Sequence, residues 1–238
     1  MTHRRHGRTA SCWCGCPRAR PSAAFCLTRP TSRCDRRLVE AHGEAVGGTV
    51  RHTPRHLDSR EKILIAEGKH LRFVRRGAWE YVERQKICGI VGIIAVTDDN
   101  KLILVEQYRP PVQKRVVELP AGLAGDQHPG GQEDLAAAAA RELFEETGYQ
   151  ARSLTLLTEG VVSAGVSSEV IAVFRASGLV RSGEGGGDQH EDIAVHAVPL
   201  AGIPEWLDQK RRDGALIDLK VYAGLNFLSR EHPGIAQV

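Results

Sequence analysis

The sequence predicts an α/β fold in which strands and helices form a sandwich. Short strand-like runs precede one alanine- and leucine-rich helical segment, further strand-like runs follow it, and apolar residues at helical spacing close the chain. The 238 residues are enough for one domain and an appendage. No apolar run approaches the ~18 residues that a membrane helix needs, so no membrane span is predicted. Only Cys88 lies beyond the first 58 residues, which excludes a disulfide framework there and favours a reducing cytoplasm.

Residues 1–58 differ in composition from the rest of the chain. They hold eleven arginines, no lysine, four acidic residues and five of the six cysteines, and they lack apolar periodicity. This composition is typical of a disordered basic arm. A transit peptide has a similar composition, whereas the cysteine spacing in Cys12–Cys16 is not that of a standard zinc site. Charge alone would support nucleic-acid binding, but aromatic residues are not interleaved, so no specific nucleic-acid partner is predicted.

The arm can also be explained as translated sequence upstream of the true start. Met1 is the only methionine, and arginine without lysine is typical of translated GC-rich DNA. Under this hypothesis the start lies near one of three valines, Val39, Val46 or Val50. Peptides from before Val39 in the native protein would contradict it.

The first elements after the arm are three short strand-like runs separated by glycine-containing turns, and they predict a small antiparallel sheet over residues 59–86. These runs are Lys62–Ala66, His70–Arg75 and Trp79–Arg84. A near-continuous apolar run at Ile87–Val96 is suited to a strand buried on both faces. After an Asp-Asp-Asn turn, further strands are expected at Lys101–Gln107 and Val116–Leu119.

A helix is predicted from Glu133 to Thr147, and a mixture of strands and helices follows it. The later strands are expected at Ser153–Val161, Val170–Ala176 and Ile193–Val198, with a glycine-rich loop at Gly183–Gln189. Apolar residues recur at helical spacing in Ile203–Arg212 and Ile217–Ser229.

The predicted helix ends in a run of charged residues, Arg-Glu-Leu-Phe-Glu-Glu-Thr-Gly. Because residues three and four apart share a helix face, Glu142 lies beside Glu145 and Glu146. Three converging carboxylates repel each other unless a cation is present, and Mg²⁺ takes oxygen ligands. Arg141 can orient the cluster, and Gly148 is placed to end the helix. The alternative is a solvated acidic face with ordinary ion pairs.

Glu133, followed after seven residues by Arg-Glu-Leu-x-Glu-Glu-x-Gly, resembles the signature helix of the Nudix hydrolases. The preceding Glu-Leu-Pro-Ala-Gly, which ends at Gly122, resembles the start of this motif in the ADP-ribose pyrophosphatase branch. Gln127 stands where the general pattern has glycine, so the segment between Leu123 and Gln132 carries an insertion of about five residues. The resemblance implies a Nudix-like α/β/α sandwich with a mixed sheet over residues 87–232, preceded by the small antiparallel sheet.

The same resemblance implies an activity, which is the Mg²⁺-dependent hydrolysis of the pyrophosphate bond of ADP-ribose or a related nucleoside diphosphate sugar. The products would be a nucleoside monophosphate and a sugar phosphate. The implied ligands of Mg²⁺, or of Mn²⁺ as an alternative ion, are Glu142, Glu145, Glu146 and the backbone carbonyl of Ala121. Arg141 and Glu133 resemble the ion pair that orients these ligands.

The base that activates water is implied to be a glutamate on a loop after the signature helix. The matching loop precedes the strand at Ile193, and Glu191 is the expected base. Asp192, Glu184 and Asp188 are less favoured candidates on the same loop, and Glu142 is the base used in other branches. Separately, the segment Ser163–Glu169 resembles the branch's Ser-Pro-Gly-x-x-x-Glu loop, so Glu169 is expected to be an auxiliary acid near the metals.

Two further segments resemble substrate-binding motifs of that branch. In Glu-Gln-Tyr-Arg-Pro-Pro, Arg109 is implied to meet a phosphate, which suits the planar fork of arginine. In Trp-Glu-Tyr-Val-Glu-Arg, Trp79 is implied to stack on the nucleobase and Arg84 to meet the pyrophosphate, often across a homodimer interface. Packing within the small sheet is the alternative role for Trp79.

The sequence alone leaves two further functions open. The inserted loop and the unassigned base leave nucleoside triphosphates or a GDP-sugar as possible substrates. A non-catalytic binding module with the same fold is the candidate from another class. Such modules typically lose metal-site glutamates, whereas this chain has all three.

Overall fold

The computed structural model describes residues 61–127, 131–187 and 192–231, and the arm predicted at residues 1–58 lies outside the described residues. The predicted α/β fold class is confirmed. In chain order the elements are β1 (Lys62–Glu67), β2 (Leu71–Arg76), β3 (Trp79–Arg84), β4 (Gly89–Ala95), β5 (Lys101–Arg109), β6 (Lys114–Glu118), β7 (Ala121–Ala124), α1 (Leu135–Thr147), β8 (Tyr149–Val161), β9 (Val170–Arg181), β10 (Ala194–Pro199), α2 (Ile203–Arg212), β11 (Leu216–Ile217) and α3 (Leu219–Glu231). None of the helices in these ranges is long and apolar enough to cross a membrane.

The first three strands form the small antiparallel sheet that the sequence predicts, in the order β1-β2-β3. Its Val74 is 1% exposed, whereas much of its other apolar surface is open. Backbone hydrogen bonds tie β3 to the loop between β8 and β9. The amide of Val82 donates to the Val166 carbonyl at 2.8 Å, and the amide of Ser168 donates to the Val82 carbonyl at 3.1 Å.

Two four-stranded mixed sheets form the rest of the strand layer. One has the order β7-β4-β9-β8, with β4 and β9 parallel. The other has the order β10-β5-β6-β11, with β6 and β11 parallel. A bridge between Val96 and Leu102 joins the two sheets where β4 turns into β5.

Strand β4 supplies side chains to two hydrophobic cores. Val91 and Ile93 pack with α1, and Ile94 packs with α2 and α3 on the opposite face. Successive side chains of a strand point to opposite faces, so the apolar run predicted to be buried on both sides is buried in this way. The helices therefore cover both faces, which gives the expected α/β/α sandwich.

Helix α1 begins two residues later than predicted. Asp134 is its N-cap and accepts from the amides of Ala136 and Ala137, both at 3.0 Å. Asp is a preferred capping residue, so Glu133 precedes the helix. Gly148 ends it as expected, with a left-handed φ of 73° and its amide bound to the Phe144 carbonyl.

Strands β7 and β11 were not predicted. Strand β7 reads Ala-Gly-Leu-Ala, a sequence with low strand propensity, and it forms because its backbone pairs with Gly89–Gly92 of β4. Strand β11 has two residues, pairs in parallel with Val116 and Val117, and occupies the expected start of the last helix.

Candidate functional site

The charged face of α1 borders a cleft of 350 Å³ beside β7, which we call the carboxylate cleft. Backbone and side chains from β7, the loop after it, α1 and the glycine-rich segment form its walls. Its lining residues are Ala121, Gly122, Leu123, Asp126, Gln127, Glu142, Glu145 and Gly187.

Arg141 connects most of the charges at this cleft. Its Nε and Nη2 donate to the two oxygens of Glu133, each at 3.1 Å, and Nη1 donates to Glu142 at 2.9 Å and Glu145 at 3.0 Å. Nη2 also donates to the Leu123 carbonyl at 2.9 Å. The hydrogen bonds that Arg141 donates to Glu133, the charge of Glu142 and the hydrogen bond to Glu145 raise the pKa of Arg141 above its ordinary value. The guanidinium therefore stays charged and holds β7 to α1.

The three candidate ligand carboxylates occupy different environments. Glu142 accepts from the Leu123 amide at 3.2 Å, and the buried Glu146 accepts from the Ala121 amide at 3.0 Å. Glu145 is half exposed and bonds to Arg141. With these contacts made, no group of three acidic, histidine or cysteine side chains among the described residues is close enough to hold a metal ion. The donors are nevertheless all oxygens, the kind that Mg²⁺ prefers, so the set fits such an ion in its chemistry.

Gly122 allows the closest approach between β7 and α1. A Cβ atom built on it would lie 1.9 Å from the carboxyl carbon of Glu142, far inside van der Waals contact. The glycine of the motif therefore leaves the space that the Glu142 carboxylate fills.

Burial raises the pKa of Glu142 to about 7, and the repulsion from Glu145 adds to this, although the charge of Arg141 acts in the opposite direction. In the metal-free protein Glu142 therefore keeps its proton to a higher pH than an ordinary carboxyl group. A cation bound to this carboxylate would displace that proton.

The glycine-rich segment caps the end of α1. The amides of Gly186 and Gly187 donate to the carbonyls of Glu146 and Glu145 at 2.7 and 3.0 Å. This satisfies carbonyls that a helix end leaves open, and it places Gly187 in the cleft wall.

The candidate bases of the loop before β10 are only partly within the described residues. The expected base, Glu191, and the less favoured Asp188 lie outside them. Asp192 and Glu184 are described, and neither lines the carboxylate cleft. Asp192 instead pairs with Arg115 at 2.8 Å.

The structure does not bring the expected substrate-binding residues to the carboxylate cleft. Arg84 pairs with Glu169 at 2.6 Å, so these two lie together but outside that cleft. Arg109 forms a two-pronged ion pair with the buried Glu118. Trp79 is 60% exposed and begins β3, about 17 Å along the strand from Arg84 at ~3.3 Å per residue.

Two further cavities adjoin Arg84. The first is a cleft of 330 Å³, which we call the basic cleft, lined by Lys69, His70, Arg84, Gln85, Lys86, Ile87, Leu123 and Asp126. The second is an apolar groove of 850 Å³ that also contains Arg109 and lies between α3 and the ends of β8 and β9. The basic cleft shares Leu123 and Asp126 with the carboxylate cleft and Arg84 with the apolar groove.

Sequence reasoning missed a buried charged group centred on Glu106. This carboxylate contacts Arg115 at 3.1 Å, His196 at 2.9 Å and the ammonium of Lys210. Burial alone would raise its pKa, but Lys210 and His196 hold the pKa of Glu106 below its ordinary value. The sequence signal that could have revealed this group is the acidic residue Glu106 inside the apolar run of β5. Asp126 was also missed, because it lies in the insertion.

Comparisons with known proteins show which family the chain resembles. A family model for the NUDIX domain matches residues 88–218. A methanol dehydrogenase activator of Bacillus methanolicus is 33% identical over 141 residues, which cover 59% of this chain and 71% of that protein. An ADP-ribose pyrophosphatase of Bacillus subtilis is 43% identical over 91 residues, 38% of this chain and 46% of that protein. An ADP-sugar pyrophosphatase of Mus musculus is 31% identical over 193 residues, 71% of this chain and 85% of that protein.

Among solved structures, the crystal structure of an ADP compounds hydrolase superposes with a TM-score of 0.53 at 22% identity. The match covers 75% of this chain and 95% of the other. At this identity it supports the fold alone.

Substitution of Gly122 by alanine tests the close approach of β7 to Glu142. We expect Gly122→Ala to displace the carboxylate and to weaken Mn²⁺ binding about tenfold or more, with the fold kept because a flexible side-chain end gives way. Titration calorimetry with Mn²⁺ and circular dichroism measure the two effects. Gly202→Ala is the control, since a Cβ there meets nothing within 4 Å. Equal Mn²⁺ affinity in both variants would contradict the expectation.

Proposed function

The chain belongs to the NUDIX domain family and is a pyrophosphohydrolase of that family, and from that premise we propose that it hydrolyses the pyrophosphate bond of ADP-ribose or a related nucleoside diphosphate sugar. The products are a nucleoside monophosphate and a sugar phosphate. The carboxylate cleft carries the proposal, because it sets Glu142 and Glu145 against the glycine-bearing strand β7. The pyrophosphatase names of the Bacillus subtilis and mouse relatives support the substrate class.

Glu142, Glu145, Glu146 and the Ala121 carbonyl would hold Mg²⁺ or Mn²⁺, which when bound neutralises phosphate charge and acidifies a coordinated water. The chain's own residues orient the carboxylates that would hold the ion. Arg141 fixes the positions of Glu142 and Glu145, and Glu133 fixes Arg141 through two hydrogen bonds. Such supporting contacts set the direction of ligand lone pairs.

Glu191 is our proposed base, which takes a proton from the attacking water. Gly187, which lines the carboxylate cleft, lies four residues before Glu191 in the sequence. Glu142 is the less favoured base, because its carboxylate already accepts from Arg141 and from the Leu123 amide. Its role is then to hold the ion.

Arg84 and Arg109 are proposed to meet the phosphates, and Glu169 to act beside Arg84. In the structure each arginine is paired with a carboxylate, Glu169 or Glu118, so a phosphate would share the guanidinium with it. Trp79 is proposed to stack on the nucleobase from a second copy of the chain, because along β3 it lies far from Arg84 of its own chain.

A homodimer is proposed on the exposed apolar surface of the small sheet. Six large apolar side chains there are between 36% and 60% exposed: Ile63, Leu64, Ile65, Leu71, Phe73 and Trp79. Exposed apolar side chains in this number on one small sheet are typical of an interaction site. We place the protein in the cytoplasm, because Cys88 is unpaired and is the single cysteine beyond the arm.

The proposed hydrolysis is tested with purified protein, Mg²⁺ and a panel of ADP-ribose, other ADP-sugars, a GDP-sugar and nucleoside triphosphates. We expect the highest kcat/KM on an ADP-sugar, with release of AMP. Glu146→Gln should lower turnover by orders of magnitude because it removes a carboxylate charge from the site. Glu205→Gln in α2 is the matched control. A binding module would instead show no turnover and no effect of Glu146→Gln.

The base is tested by Glu191→Gln, for which we expect kcat to fall about 10²- to 10⁴-fold with KM little changed. Steady-state kinetics on the best substrate of the panel gives both parameters. The same measurement on Glu184→Gln and Asp192→Asn distinguishes Glu191 from the two neighbouring acidic residues. A full effect in one of those variants, with Glu191→Gln active, would reassign the base.

The dimer is tested by sedimentation equilibrium of the wild type and a Leu64→Lys, Ile65→Lys variant. We expect a dimer for the wild type at micromolar concentration and a monomer for the variant, because the charges disrupt apolar burial between copies. Arg211→Ser, Arg212→Ser in α2 is the control. A wild type that sediments only as a monomer would refute the proposed assembly.

A further inference from the structure

Of the residues that line the basic cleft, Arg84 has a role in the proposed reaction, whereas Lys69 and Lys86 have none. The cleft lies where the β1–β2 turn meets the connection from β3 to β4, and it opens next to the carboxylate cleft. Leu123 and Asp126 line both clefts and form the boundary between them. A molecule bound at the carboxylates can therefore extend directly into the basic cleft.

Backbone contacts fix the shape of this cleft. The side-chain amide of Gln85 donates to the carbonyls of Gly68 and Leu71 at 2.9 and 3.2 Å, and its backbone amide donates to the His70 carbonyl at 3.0 Å. These bonds hold the β1–β2 turn against the β3–β4 connection. Lys69 and Lys86 are thereby kept on neighbouring segments, and binding an anion between them would need little ordering of the backbone.

The charges of the cleft are predominantly positive. Neither Lys69 nor Lys86 has an ion-pair partner within residues 61–127, 131–187 and 192–231. Arg84 is paired with Glu169 and adds little net charge. Asp126 contributes one negative charge, because its partner Arg141 at 3.4 Å is already paired with three glutamates. Two ammonium groups against one carboxylate leave the lining with a net positive charge, which favours an anion.

The composition of the walls selects among ligands. Ile87 and Leu123 are the apolar residues of the lining. Its one aromatic ring is the imidazole of His70, which offers a nucleobase less stacking surface than phenylalanine, tyrosine or tryptophan would. The volume of 330 Å³ is comparable to that of the carboxylate cleft. The cleft therefore suits a compact anionic group such as a phosphorylated sugar.

We propose that the basic cleft binds a phosphate monoester that the substrate carries in addition to its pyrophosphate, with Lys69 and Lys86 as the binding residues. The proposal rests on the proposed pyrophosphate hydrolysis at the neighbouring cleft. It narrows the substrate to a nucleoside diphosphate sugar with a further phosphate on one of its two sugars. The pyrophosphate itself lies at the boundary of the two clefts, between the carboxylates and Arg84, and the further phosphate lies beyond it at Lys69 and Lys86.

The experiment compares kcat/KM for ADP-ribose with that for two analogues, one with a phosphate monoester on the nucleoside ribose and one with it on the terminal ribose. The wild type should prefer one analogue over ADP-ribose by about tenfold or more. In the Lys69→Met, Lys86→Met variant this ratio should fall to about one. Absence of a preference in the wild type, or an unchanged ratio in the variant, overturns the proposal.

A binding measurement separates failure of this proposal from failure of the proposed reaction. Ribose 5-phosphate is titrated calorimetrically into the metal-free wild type, the double variant and a charge-matched control, Lys101→Met, Arg212→Met. We expect binding in the wild type and control and a loss of about tenfold or more in the double variant. Equal affinity in all three overturns the anion site. Loss of affinity in a protein without turnover on any substrate supports the site and refutes the reaction.

Discussion

The guanidinium of Arg141 lies among the carboxylates of Glu133, Glu142 and Glu145 and the carbonyl of Leu123. Its partners come from the consecutive elements β7 and α1 and from the segment between them, and the site depends on this junction. Glu133 is 5% exposed and Arg141 17% exposed, so the pair is largely removed from water. Loss of one member of a buried pair leaves an uncompensated charge, which costs about 3–5 kcal/mol. Arg141 thus fixes the ligand carboxylates and stabilises the contact between β7 and α1.

The same junction explains why β7 contains glycine and why α1 ends where it does. The Glu142 carboxylate occupies the space that a side chain at residue 122 would need. At the C-terminal end of α1, the amides of Gly186 and Gly187 donate hydrogen bonds to the last helical carbonyls. Strand β4, buried on both faces, holds β7 on one edge and β9 on the other. Backbone hydrogen bonds therefore hold both β7 and the end of α1 at the carboxylate cleft, which limits how far its charged groups can move.

The sequence was sufficient for the parts of the fold and site that follow from local periodicity. The helix with Glu142, Glu145 and Glu146 on one side, and the strand buried on both faces, could be predicted because side-chain spacing determines which residues share a face. The contacts that those residues make with other parts of the chain could not be predicted in this way. The Glu146 carboxylate accepts from the amide of Ala121, 25 positions earlier, and Arg84 meets Glu169, 85 positions later. Strand β7 has no strand-like composition, so only its pairing with β4 could reveal it.

The arrangement of the cavities constrains the substrate more than any single motif does. The carboxylate cleft, the basic cleft and the apolar groove form a series of neighbouring cavities, which share Leu123 and Asp126 at one step and Arg84 at the next. A ligand that fills the series needs a group suited to a cation at one end, anionic groups in the middle and an apolar group at the other. Arg84 would lie beside both the middle and the apolar section, where its ion pair with Glu169 keeps the guanidinium in place. The lining therefore changes from acidic to basic to apolar along this series.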